Sequence, residues 1–184
     1  DSRQSRGLGD VYKRQEQFDL RINKKKIVIF KQTLFYYKFN LCLPHVSWFG
    51  SKACKLKDLN NIDLLRAIKN KKYPFYRVDT LFSDTKYQSV NLVSNGGWHF
   101  SNLKSVEELE RKFLNDENHS EYELQGFDID RIKENIKNRS IDYNHNAKQD
   151  SLDRFSPTKL QVADIDILPN YLKINLDKYK EWFD

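Results

Sequence analysis

The sequence predicts an α/β fold with strands in the front half and helices in the back half. Three observations carry this: β-branched and aromatic runs crowd the first hundred residues, apolar residues at helical spacing follow, and no internal repeat intervenes. At 184 residues the chain can bury one real core.

Each element follows from local pattern. In KKIVIFKQTLFYYKFNL, Phe35, Tyr37, Phe39 and Leu41 alternate onto one face of a strand, with Leu34 and Tyr36 opposite, so both faces are expected to be covered. LPHVSWFG reads as a turn or loop, and SKACKLKDL as a shorter strand able to pair with the first. NNIDLLRAIKN is a short helix capped by Asn61, with Ile62, Leu65 and Ile68 as its apolar stripe. KKYPFYRVDTLF reads as extended chain because Pro74 disfavours helix before it. YQSVNLVSN gives another strand, ended by a Gly96-Gly97 turn.

Ser105 and Glu108 then form a capping box for a helix that buries Val106, Leu109 and Phe113. A second helix starts near Asp128, with Ile129, Ile132 and Ile136 in register. Residues 140–157 read as a long polar loop. A last helical stretch runs from Pro169, with Tyr171, Leu172, Tyr179 and Trp182 as docking residues.

Composition narrows the functional classes. The chain is 39% hydrophobic and 14% aromatic, which excludes disorder throughout. Its net charge is +6, but the charges are mixed along the whole length, which argues for solvated faces rather than a nucleic-acid stripe. Cys42 and Cys54 match no zinc or redox spacing and are expected to be reduced and buried. No run approaches the roughly 20 apolar residues that a membrane span requires.

The chain contains no methionine, and the segment DVYKRQ, Asp10 to Gln15, back-translates into a transposon-end adaptor of the kind used in sequencing libraries. Residues 1–15 are therefore expected to be a non-native tail, and residues 16–184 a fragment of one domain. Without the tail, 28 basic and 24 acidic residues remain, so the basic excess weakens as a clue.

QTLFYYKFNL, WFGSKACKLKDL, YPFYRVDT, NGGWHFSNLKSVEELERKF and HSEY occur in this order, and the chain closes on LPNYLKINLDKYKEWF. Together they resemble the C-terminal half of glycosyltransferase family 17, the β-1,4-mannosyl-glycoprotein 4-β-N-acetylglucosaminyltransferase family, from about Lys31 to Phe183. The resemblance implies a GT-A-like fold and inverting transfer of N-acetylglucosamine or a related sugar from a nucleotide-sugar donor to a glycan hydroxyl. It also implies a divalent metal, Mn or Mg, and roles in glycan biosynthesis, including protein N-linked glycosylation. The location implied is cytoplasmic for microbial or viral members and the Golgi membrane for animal-type ones. The family's Asp-x-Asp-type acidic motif has no counterpart upstream of Phe30, and DIDILP at Asp164 reads as a helix-entry turn. The fragment is accordingly expected to be inactive alone.

Inverting transfer needs a base for the acceptor proton and cationic help for the departing diphosphate. His99 suits either need, or metal ligation; as a core residue it would instead be satisfied by backbone. Gly96 and Gly97 would let the backbone approach a diphosphate. Of Trp98 and Phe100, one is expected to stack on sugar and the other to fill core. Ser101, Lys52 and Arg77 are candidate phosphate contacts. Glu107 and Glu108 are candidate bases whose capping role explains them as well, and His119 and Glu121 form a second polar cluster. The competing reading is a noncatalytic carbohydrate- or nucleic-acid-binding module, against which the core-like alternation of the aromatics counts.

Deleting residues 1–15 is expected to leave the melting temperature unchanged in a thermal denaturation scan; a clear drop would show that they belong to the fold.

Overall fold

The computed structural model describes residues 27–59, 61–86, 89–115, 128–145 and 156–184. The proposed tail, His119 and Glu121 lie outside the described residues. The architecture is mixed α/β, in two compact units: residues 27–32 with 47–97, and residues 33–46 with 98–184.

The first unit is built on a three-stranded sheet in which β1 (Ile27–Phe30) is central. It pairs antiparallel with β4 (Lys52–Cys54) and parallel with β5 (Val90–Val93). The central place of β1 explains its unbroken apolar sequence IVIF, since a central strand needs covering on both faces. Ile27, Ile29 and Val90 pack with Ile68 on one side, while Val28 and Val93 form a separate cluster with Phe30 and Ala53. Helix α1 (Ile62–Ala67) starts where Asn61 accepts the Asp63 amide at 2.9 Å. Ile62 is 66% exposed, however, so the stripe toward the core begins at Leu65. KKYPFYRVDTLF is not extended; it folds through turns and a 3-10 helix, Val78–Thr80.

The second unit holds a four-stranded sheet in the order β6 (Trp98–Ser101), β2 (Gln32–Tyr36), β3 (Leu41–Trp48), β9 (Gln161–Val162). The expected single strand breaks after β2 (Gln32–Tyr36), because Tyr37 takes a left-handed backbone with φ of 62°. A tight connection through Asn40 then returns the chain as β3 (Leu41–Trp48). LPHVSWFG is therefore mostly strand and not loop. Leu34 and Phe35 are both buried, so both faces of β2 are covered as alternation required. β6 (Trp98–Ser101) pairs parallel with β2, Thr33 opposite Trp98 and Leu34 opposite His99.

Helix α2 (Val106–Leu114) carries the complete capping box: the Ser105 hydroxyl accepts the Glu108 amide, and the Glu108 carboxylate accepts the Ser105 amide, each at 3.2 Å. Leu109 and Phe113 are its buried residues. Helix α3 (Ile129–Lys137) starts at Asp128, whose carboxylate accepts the Arg131 amide at 2.8 Å. It packs against α2 and against β7 (Ser140–Ile141).

The back half is less purely helical than the sequence suggested. Buried β7 pairs with β8 (Thr158–Lys159), and β9 (Gln161–Val162) joins β3. Asn135 is buried on α3 because it serves a polar network: it donates to Asp142 at 2.6 Å, and Ser140 donates to it at 3.3 Å. Arg131 holds the same Asp142 carboxylate through two bonds of 2.9 Å. Burial pulls the Asp142 carboxyl upward, but these bonds outweigh it and hold the group below the usual carboxylate range. The last segment contains α4 (Asn170–Lys173) and a 3-10 helix, Asp177–Trp182. Leu172 is buried and Tyr171 is 55% exposed, so only part of the expected docking set docks.

Residues 94–97 form a register device. Phe30 is opposite Val93 and Thr33 is opposite Trp98, so two residues of one chain segment face four of the other. The excess is absorbed by left-handed Asn95 (φ 52°), by Gly97 (φ 132°) and by Gly96 lying against Phe30. The Gly96 amide donates to Lys31 at 2.8 Å, and the Lys31 amide donates to Val93 at 2.9 Å. A Cβ on Gly96 would sit 2.8 Å from the Phe30 Cβ and 3.0 Å from its Cα, where the backbone cannot swing away.

Gly96→Ala is expected to destabilise the protein by about 1–3 kcal/mol, as overpacking does, and Ser105→Ala by about 1 kcal/mol through loss of the cap. Urea denaturation checks both. A neutral Gly96→Ala would mean that residues 94–97 tolerate a different path.

Candidate functional site

The motif residues Trp98 to Ser101 form one strand, and strand periodicity sorts them. Residues two apart share a face, so Trp98 and Phe100 point the same way and His99 and Ser101 the other. Both aromatics flank the cluster of Phe35, Cys42, Ala163 and Leu168. The Phe100 ring stacks on Phe35 with centroids 5.0 Å apart, and the Trp98 indole N–H donates to the Ile167 carbonyl at 2.5 Å. Both rings therefore share one face and pack against this cluster, rather than dividing between two faces.

His99 lies opposite Leu34, and Ser101 opposite Tyr36, on the other face of the same parallel pair. Burial disfavours the imidazolium and pushes the His99 pKa below its ordinary value. At neutral pH the ring is neutral and able to accept a proton. The Ser101 carbonyl accepts the Tyr37 amide at 3.2 Å, which fixes the end of the strand.

Sequence reasoning missed the neighbouring polar group on this face. The Tyr36 hydroxyl and His145 Nε2 are 2.7 Å apart, and the Tyr143 ring meets His145 edge-on at 4.8 Å. His145 is half-buried, and desolvation lowers its pKa also. No short-range signal marked this pair, since 109 positions separate its members.

The remaining candidates have structural employment. Lys52 donates to the carbonyls of Arg66 and Ile68 at 2.7 and 2.6 Å, at the C-terminal end of α1. Burial, and Lys69 after it, lower its pKa. Arg77 holds Asp79 through two bonds of 2.7 Å on an exposed segment. Glu107 stands exposed in the first turn of α2, its carboxyl lowered by backbone N–H donors and then by Ser105, which makes it a weaker base. Glu108 is committed to the capping box. Gly96 and Gly97 close the first unit, whereas His99 belongs to the second.

Cys42 and Cys54 are both free thiols, and burial raises each above its ordinary value. Among the described residues, no three His, Cys, Asp or Glu side chains converge to hold a metal ion. One imidazole without carboxylates holds a divalent cation weakly, so the described residues do not fit a Mn²⁺ or Mg²⁺ centre. No described helix is long and apolar enough to cross a membrane. Compared with known proteins, the chain matches no family model, no curated relative and no solved structure.

The two depressed imidazoles set a pH dependence. An unfolded histidine titrates near 6.5 and takes up protons more readily than either folded ring. Their contribution to stability is therefore complete above pH 6.5 and is lost as the pH falls through the lower folded values. Urea midpoints are expected to be level just above that pH and to fall as the pH drops below about 6.5, with a shallower fall in His145→Asn. A wild-type midpoint that stays level below that pH would contradict the burial of both rings.

Proposed function

We propose that the chain is the C-terminal part of an inverting glycosyltransferase of the family 17 type, built on a GT-A-like fold. In this reading it acts on a nucleotide-sugar donor, transferring N-acetylglucosamine or a related sugar to a glycan hydroxyl. The ordered set of motifs from Lys31 to Phe183 suggests the reaction, and one observation supports the assignment of roles. Trp98 and Phe100 anchor their strand in the core, while His99 faces the other way with its imidazole neutral at physiological pH.

A neutral imidazole accepts a proton from an acceptor hydroxyl; it does not supply the positive charge that a departing diphosphate needs. His99 is accordingly the base in this reading. Ser101, on the same face, is placed to orient the acceptor by hydrogen bonding. Trp98 and Phe100 position the strand without touching substrate. Because the described residues do not fit a divalent site, no step here runs through a metal. In the family the acidic motif for donor binding lies upstream of the stretch this chain resembles, so no residue of this chain is assigned to that role.

The test compares His99→Ala with the parent in a protein extended upstream to include that acidic motif, assayed with UDP-N-acetylglucosamine and Mn²⁺. Transfer is expected in the parent, with a loss of about 10²-fold or more in kcat for the variant, as removal of a general base gives, and an unchanged melting temperature. No transfer by the extended parent would sink the class of reaction. A variant that loses stability while retaining activity per folded molecule would make His99 a core histidine.

A further inference from the structure

Residues 69–86 of the first unit form a closed loop whose polarity is inverted. The Lys69 amide donates to the Thr85 carbonyl at 2.8 Å and joins its ends. Inside, the Arg77 amide donates to Pro74, the Leu81 amide to Val78, and the buried Thr80 hydroxyl to the Arg77 carbonyl at 2.6 Å. Asp79 is held by Arg77 and by Lys86, the latter at 2.8 Å, and these partners keep its carboxyl far below the usual range. The loop thus bonds several of its polar groups internally, while its large apolar side chains are exposed. Phe75 is 89% exposed, Tyr76 69%, Val78 63%, Leu81 74% and Phe82 86%.

Single exposed apolar residues are ordinary, but five within eight positions of one loop exceed such scatter, and concentrations of this kind mark binding surfaces. Its chemistry narrows the partner. A glycan platform uses aromatic faces together with hydrogen-bonding groups, and Val78 and Leu81 offer neither. Base stacking has the same requirement for aromatic faces. Aromatic and aliphatic tips bordered by lysines are what an interfacial, lipid-inserting surface combines. The segment carries five basic residues against two acidic ones, and Lys69, Lys71 and Lys72 are exposed. Arg77 and Lys86 are engaged with Asp79, which leaves the three exposed lysines against Asp84.

We propose that this loop is a peripheral membrane-docking element that inserts Leu81, Phe82 and their aromatic neighbours into an anionic lipid surface. The lysines supply attraction to the headgroups, and the internal hydrogen bonds hold the loop in shape so that little ordering is needed on contact. The inference is independent of the transferase reading.

The full chain is mixed with phosphatidylcholine vesicles, with and without phosphatidylserine, and sedimented. Binding is expected only with phosphatidylserine, weakened by salt, and reduced at least about tenfold by the double change Lys71→Glu and Lys72→Glu, given the usual contribution of each basic residue near a charged membrane. Leu81→Ser with Phe82→Ser should abolish it. Circular dichroism should be unchanged in these variants, because the altered residues are exposed. Ile174→Ser, at a 79% exposed position in the other unit, should bind as the parent does. Absence of vesicle binding by the parent overturns the proposal. So does an equal loss in Ile174→Ser, which would indicate unspecific apolar adhesion. Self-association relieved by Leu81→Ser with Phe82→Ser, without vesicle binding, overturns it in favour of a protein partner.

Discussion

Asn40 is the residue on which the second unit turns. It is 5% exposed, at the connection between β2 and β3, and it is bonded in three directions. Its side-chain amide donates to the Asp184 carbonyl at 3.2 Å, its side-chain oxygen accepts the Asp184 amide at 2.9 Å, and its backbone carbonyl accepts the Ala163 amide at 2.7 Å. A buried primary amide left without partners is costly, so these contacts are obligatory once the turn is closed. They draw the end of the chain and the β9 segment onto the hairpin. Neighbouring bonds follow the same path: the Phe39 amide donates to Trp182 at 2.8 Å, and Arg139 meets Asp184 at 2.7 Å.

That clamp supports the strand that carries His99. With the last segment in place, Phe39 meets Phe100, Tyr179 and Phe183, and Leu168 joins Phe35 beneath the motif strand. The two aromatics of WHFS are consumed in this packing, which fixes the direction in which His99 points. Residues 94–97 turn the chain just before this strand. The glycines thus have a mechanical explanation, one in the close approach to Phe30 and one in the left-handed region.

What could be read from the sequence was what is decided within a few residues. The Ser105–Glu108 box and the Asn61 and Asp128 caps each close between neighbours, and all are present in the structure. Leu109, Phe113 and Ile132 follow from helical spacing, and all are buried. Features that depend on distant partners left no such trace. Tyr37 carries an aromatic that continues the alternation, yet its left-handed backbone ends the strand there. The burial of Asn135 had no local signal, because its partners Ser140 and Asp142 lie beyond the helix. Val46 to Trp48 looked like loop because Pro44 and His45 interrupt the apolar run, although both are exposed positions within β3. Of the candidate site, His99 was legible as a residue, but the Tyr36–His145 pair was not, since only the tertiary fold brings those two together.

Amide hydrogen exchange in Asn40→Ala tests most directly whether this one side chain organises the unit that carries His99. If it does, protection falls together at Phe39, Ala163, Asp184 and the paired amides of β2 and β6, while β1 and β5 in the first unit keep theirs. Loss confined to Asp184 and its immediate neighbours, with β2 and β6 still protected, would contradict the account and leave the motif strand held by its apolar packing alone.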